Sequence, residues 1–204
     1  MGCGSLRRWS ARRWCGALLL AAVALQLARL AAPAPAALVS TVTFPRAQAA
    51  AVAHLLADFS THPSPFSIPV SWSIEKEASN YTSWRYSVSY ECGPRCAGGA
   101  EVAAHDDGGP RHGLAARAHR VRVINTFCVS LLLLPWLQFC GEIETMSVVR
   151  ADEMSGGALL EERAEARCGA AAALALGGRC GRAHLQALRA QHLQYVRAAL
   201  ARDH

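Results

Sequence analysis

The sequence predicts an α+β domain: a small antiparallel sheet packed with helices, stabilised by disulfides, behind an N-terminal signal sequence. Three observations carry this expectation. Two runs near residues 66–92 alternate apolar and polar side chains with period two. Two other stretches, 46–59 and 182–202, repeat their apolar residues at helical spacing. Six cysteines follow a leader that contains no acid, and an even cysteine number in an exported chain implies disulfides.

The leader comes first. Arg7, Arg8, Arg12 and Arg13 precede an almost wholly apolar stretch from Trp14 to Ala32, and Pro33-Ala34-Pro35-Ala36-Ala37 follows. A charged segment, an apolar segment and a small-residue site, in that order, describe a secretory signal. Ala34 and Ala36 supply the small side chains, so cleavage is expected after Ala36, with residues 37–204 as one lumenal or extracellular domain. An uncleaved signal anchor is the first alternative, because residues 14–32 approach the length of a bilayer span. A mitochondrial presequence is the second; its apolar part is too continuous for that class. The first two readings both put the rest of the chain outside the cytosol.

The formal net charge of +6 is concentrated in this leader, where Arg7, Arg8, Arg12, Arg13 and Arg29 have no acid to offset them before Asp58. Beyond it, arginines and acids interleave. No basic face alternates with aromatics and no zinc-finger spacing occurs, so nucleic acid is not expected as a partner.

Cys3 and Cys15 belong to the leader. Cys92, Cys96, Cys128, Cys140, Cys168 and Cys180 remain. Their spacing offers three local pairs, 92/96, 128/140 and 168/180, although fifteen full pairings are formally open. The last pair is favoured because Gly177-Gly178 can turn the chain back between its members. A zinc site built on Cys92 and Cys96 lacks a second short-spaced pair, and no C-x-x-C redox motif exists.

Leu38–Phe44 alternates loosely and reads as a short strand. Pro45 suits a first helical turn, and Val52, Leu55, Leu56 and Phe59 then fall on one face of a helix over 46–59. Pro63 and Pro65 end it. Ile68, Val70, Trp72 and Ile74 alternate with Ser67, Pro69, Ser71 and Ser73. Trp84, Tyr86, Val88 and Tyr90 alternate with Arg85, Ser87, Ser89 and Glu91. These are two half-buried strands, 66–74 and 84–92. Pro69 lacks an N–H and points to an edge position for the first. The polar connector carries Asn80-Tyr81-Thr82, a glycan acceptor tripeptide on a hairpin tip.

Gly93–Gly113 reads as a glycine-rich loop. Its His105, Asp106, Asp107 and His112 are metal-ligating types, but a flexible loop pre-organises nothing, and no metal is expected there. Residues 121–140 are strongly apolar and interrupted by Pro135. They read as a buried core helix or a strand followed by a helix, with a membrane span over 123–140 as the alternative. Residues 143–149 fit a strand. Ala158–Leu176, rich in alanine, glutamate and arginine, reads as helix. The last helix, 182–202, carries a stripe of Leu185, Leu188, His192, Val196 and Leu200, with Arg189, Arg197 and Arg202 off it.

No catalytic constellation, cofactor motif or metal motif stands out. The expectation is therefore a secreted or surface-associated glycoprotein, modified at Asn80, that binds another protein such as a membrane glycoprotein or receptor and catalyses nothing. Trp72, Trp84 and Tyr86 are the candidate partner-binding residues, because edge strands invite pairing. The layout of leader, one cysteine-paired domain and no C-terminal anchor is similar to that of accessory envelope glycoproteins of large DNA viruses, such as herpesvirus glycoprotein L. That resemblance implies a membrane-bound partner that holds the protein at the surface. The remaining alternative is a small membrane assembly factor with spans near 14–32 and 123–140.

Overall fold

A computed structural model describes residues 22–23, 36–62, 71–93, 95–107, 118–130, 136–169, 172–173, 176 and 178–202. Residues 1–35, apart from two, and the stretches 63–70, 108–117 and 131–135 lie outside it. The chain forms β1 (Ala36–Phe44), α1 (Ala49–Ala57), a 3₁₀ turn (Phe59–Thr61), then six strands in succession. These are β2 (Ser71–Ser79), β3 (Ser83–Glu91), β4 (Cys96–Asp106), β5 (His119–Ser130), β6 (Gln138–Asp152) and β7 (Gly157–Cys168). α2 (Arg182–Leu200) follows.

One seven-stranded sheet results, in the order β1-β7-β6-β5-β4-β3-β2. Every pairing is antiparallel. β2 to β7 are a plain meander, and β1 returns to close against β7. The expected α+β class with disulfides is thus observed, on a larger sheet than the two clearest runs indicated. Both 121–129 and 143–149 join it.

Register carries one inner face across all strands. Ile74 lies opposite Val88, Val88 opposite Ala100, Val102 opposite Val123, Val123 opposite Thr145, Thr145 opposite Ala164, and Glu162 opposite Ser40. Since a strand sends alternate side chains to opposite faces, this parity decides what is buried. Both helices lie on that face. Tyr86 Oη on β3 donates to Ala57 O (2.5 Å) and accepts from Phe59 N–H (2.8 Å). Val52 and Leu56 of α1, Phe127, Val102, Val149 and Leu160 of the sheet, and Val196 of α2 are all out of water. Full burial of such a side chain is worth about 1.5–3 kcal/mol.

Gly98 shows why β4 admits glycines inside a sheet. A Cβ there would sit 2.3 Å from Thr126 O and 2.5 Å from the Tyr90 ring. Its absence lets Tyr90, its cross-strand partner, lie flat over β4 and donate to Asn125 Oδ1 (2.5 Å).

Four expectations are corrected. Residues 96–106 form β4 and not a loop: flanking strands on both sides override the weak strand propensity of alanine and glycine. Residues 121–140 contain no described helix; β5 runs through Ser130 and β6 begins at Gln138. No described helix is long and apolar enough to cross a membrane. Ala158–Cys168 is strand, with Ala172 and Ala173 helical beyond it. There the alternation of Ala158, Leu160, Glu162, Ala164 and Ala166 with Leu159, Glu161, Arg163, Glu165 and Arg167 prevails over helix propensity. Finally, the strand expected to be half-buried over 66–74 is exposed at every described residue and runs from Ser71 to Ser79, into the expected connector; residues 66–70 lie outside the described residues.

Candidate functional site

The sequence-derived aromatics sit together at the β2–β3 end of the sheet, in three different environments. Tyr86 is buried, and burial pushes its hydroxyl pKa up to about 12. Trp84 is half-buried between the His54 ring (6.3 Å) and Tyr86 (4.8 Å), and its Nε1–H donates to Glu77 Oε1 (3.0 Å). Trp72 meets the Phe59 ring edge-on at 5.9 Å, yet remains 43% exposed, and Ile74 beside it is 51% exposed. Both project on the same face as buried Val88 and Tyr90. The apolar inner face therefore continues one strand further than its helical cover. The accessible part of the aromatic group is Trp72 with Ile74; Tyr86 belongs to the core.

Every residue of β2 is exposed, and among the described strands it pairs only with β3. A bulge between Ile74 and Lys76 divides it. One half, Ser71–Ile74, is uncharged. The other carries Glu75, Lys76 and Glu77. Charges and bulges blunt an edge against pairing, so only the Ser71–Ile74 half remains open to it.

Asn80 closes the β2–β3 hairpin. Its Oδ1 accepts from Ser83 N–H (2.7 Å), Ser83 Oγ–H (2.9 Å), Thr82 N–H (3.0 Å) and Thr82 Oγ–H (3.4 Å). All these bonds use the oxygen. Nδ2, the atom a glycan would occupy, points to no protein partner among the described residues.

All six domain cysteines stand in pairs at disulfide distance. Cys92 and Cys96 bracket the β3–β4 turn with Cα atoms 4.9 Å apart. Cys128 and Cys140 are direct cross-strand neighbours on β5 and β6, 4.0 Å apart. Cys168 at the end of β7 meets Cys180 just before α2, 6.0 Å apart. The three local pairs in the spacing are the three in the fold, and such a set fits an oxidising compartment.

The acids of the former loop are engaged with neighbouring side chains: Asp106 with His119 (2.5 Å), Asp107 with Arg120 (2.5 Å) and His105 (3.4 Å). No group of three or more metal-ligating side chains is gathered among the described residues. On the outer face Arg122, Arg163 and Arg167 interleave with Glu142, Glu144 and Glu165. Glu144 is buried while its arginine partners are exposed; the more exposed pairs add little to stability.

A second site, unmarked in the sequence, lies under α2. Arg189, which helical spacing placed off the apolar stripe, is 7% exposed. Its Nε–H faces Glu162 Oε1 at 2.6 Å and Ser40 Oγ at 3.2 Å. Ser147 Oγ–H donates to Glu162 Oε2 (3.2 Å). Ser40, Glu162 and Ser147 are immediate cross-strand neighbours on β1, β7 and β6, so the sheet presents one carboxylate flanked by two hydroxyls. Burial pushes the Glu162 pKa up, opposed by Arg189, and pushes that of Arg189 down, opposed by Glu162.

Two histidines complete the cluster, with ring centres 4.4 Å apart. The Thr61 hydroxyl donates to the carbonyls of Asp58 (2.8 Å) and Leu55 (2.9 Å), so at its 3.2 Å contact with His192 its oxygen accepts from Nε2–H. His62 Nε2–H likewise donates to Leu56 O (2.9 Å). Burial, with His62 and Arg189 nearby, lowers the His192 pKa to about 2. Burial also lowers that of His62. Both rings are therefore neutral. Only a spatial partner on β7 distinguishes Arg189 from Arg197 or Arg202, and no linear motif announces it.

No protein-family model matches this chain, and no curated protein matches it.

Proposed function

We propose that this is an N-glycosylated protein of the secretory pathway that acts by binding another protein, through the uncharged half of the β2 edge. The single observation that carries the reading is the exposure of Trp72 and Ile74 on a face whose other members are core. An apolar patch continuous with the core and bordered by a strand edge that no other described strand pairs marks an interaction surface. The occupant fitted to it is an extended segment of a partner: main-chain bonds to Ser71–Ile74 supply pairing, and an apolar side chain covers Trp72. The acid-free leader, the three cysteine pairs and the sequon at Asn80 support export. The layout shared with accessory envelope glycoproteins adds the expectation that the partner is membrane-bound.

The test places a photo-reactive side chain at Ser73 on β2 and, as control, at Thr41 on the opposite edge strand β1, in secreting cells. The expected result is a discrete adduct with one partner protein from position 73, absent from position 41 and lost with Trp72→Ala. Absence of an adduct, or equal adducts from both edges, defeats the reading. An adduct between two copies of this chain would replace the partner by self-association.

A further inference from the structure

The three cysteine pairs differ in where they lie. Phe127 is buried on the inner face, so Cys128 projects from the outer one, and Cys140 stands directly opposite it on β6. Both helices cover the inner face. Cys140 is exposed and Cys128 half-buried. Each of the other pairs has a buried member: Cys92 and Cys96 are 0% and 9% exposed, and Cys180 is 6% exposed. Ala97 and Gly99, which face outward from β4 opposite Cys128 and Thr126, are too small to fill the space beside the pair. An open hollow of about 560 Å³ results there, lined by Cys128, and a second of about 610 Å³ adjoins it, lined by Cys140. The strands do not depend on the bond between these cysteines. Phe127 pairs with Gly141 on one side of it and Val129 with Phe139 on the other, in a ladder that runs from His119–Val149 to Ser130–Gln138.

We propose that Cys128–Cys140 is a thiol-exchange site, open in the folded protein to an external thiol. The external thiolate attacks Sγ of Cys140, the exposed member. A new sulfur–sulfur bond forms there as the bond to Cys128 breaks, and the electron pair leaves on Cys128 Sγ, which takes a proton from water. One disulfide and one thiol enter and one of each leaves, so no oxidant is consumed. Positive charge favours a departing thiolate, and Arg95, exposed and paired with no acid among the described residues, lines the hollow on the Cys128 side. Because the ladder keeps Cys128 opposite Cys140, the released thiolate can return and expel the incoming group. Exchange is then reversible without unfolding, which neither of the other pairs allows to the same degree, since a buried sulfur is shielded from attack. The site is independent of the β2 edge.

The test uses the secreted chain with its three pairs oxidised. It is incubated with reduced glutathione or, in a second arm, with a folded protein carrying one exposed cysteine. Samples are quenched in acid at intervals, alkylated, and mapped by peptide mass spectrometry, while circular dichroism follows the fold. The first product expected carries glutathione on Cys140 and the alkyl group on Cys128. It should appear roughly tenfold or more faster than any change at 92/96 or 168/180, with the spectrum of the folded protein intact. Reaction with glutathione alone assigns the site to small thiols; reaction in both arms extends it to thiols on protein surfaces. The proposal is overturned if the three pairs open at similar rates, if Cys168 is modified first, or if Cys140 reacts only as the fold is lost.

Discussion

Arg189 on α2 holds Glu162 on β7 at 2.6 Å, with both side chains almost wholly removed from water. This pair anchors the last helix to the inner face of the sheet, between Ser40 and Ser147 of the neighbouring strands. Removing one member leaves the other as an unpaired buried charge. Arg189→Ala is therefore expected to lower stability by about 3–5 kcal/mol. Glu162→Gln with Arg189→Met replaces the pair by neutral groups of similar size and should be as stable as the parent, or nearly so. Urea unfolding of both variants checks this; equal losses in the single and double variants would show that packing, not charge, dominates.

The neutral histidines make stability depend on pH in a definite direction. His192 is depressed in the fold to about 2 from an ordinary 6.5, first by burial and then by His62 and Arg189. The unfolded chain therefore binds the extra proton below about pH 6.5 and the folded chain does not. The His192 contribution is fully present above 6.5 and is lost as pH falls from there toward 2, at a limiting slope of about 1.4 kcal/mol per pH unit. His62 acts with the same sign. Glu162, whose pKa is raised, acts oppositely: its contribution weakens as pH rises above its ordinary value of 4.5. Comparing the parent with His192→Gln between about pH 5 and pH 7 isolates the histidine; the variant should lose about 2 kcal/mol of the parent's pH dependence. Identical profiles would mean that the folded His192 accepts a proton freely.

The cysteine pairs should differ in worth. Cys168 and Cys180 are separated by 12 positions and Cys92 and Cys96 by 4. Longer loops lose more freedom when closed, so the 168/180 pair should stabilise by about 1 kcal/mol more than the 92/96 pair. It also fixes the segment between β7 and α2. Replacing each pair with alanines and measuring thermal unfolding tests the order. A larger loss from the 92/96 pair would show that hairpin geometry outweighs loop closure.

At the β2–β3 tip, glycan attachment and turn stability are separable. Asn80→Gln removes the acceptor amide and also withdraws the Oδ1 that holds four donors; it should lose one glycan and about 1 kcal/mol. Thr82→Ala destroys the sequon but keeps the two backbone bonds, and should lose the glycan at little cost in stability. Gel mobility before and after glycosidase, together with thermal unfolding, reads both effects. Unchanged mobility of the parent on glycosidase treatment would remove Asn80 as a glycan site.

Local chemistry alone made several elements legible. The alternation of Trp84, Tyr86, Val88 and Tyr90 marks β3 because only a strand of period two buries such a set. The stripe through Leu185, His192 and Val196 marks α2, since all three are buried. The spacing of the six cysteines already contained the three local pairs. What tertiary structure decided is the placement of residues whose own preferences are weak or misleading. Ala158–Cys168 has the composition of a helix and becomes strand because β1 and β6 offer it hydrogen bonds on both edges. Gly98 and Gly99 are poor strand formers that survive in β4 because Tyr90 covers Gly98. Arg189 belongs, by its charge, in water; it is buried because Glu162 and Ser40 meet it from two adjacent strands while Ser147 on a third holds Glu162, a juxtaposition set by register between positions far apart in the chain.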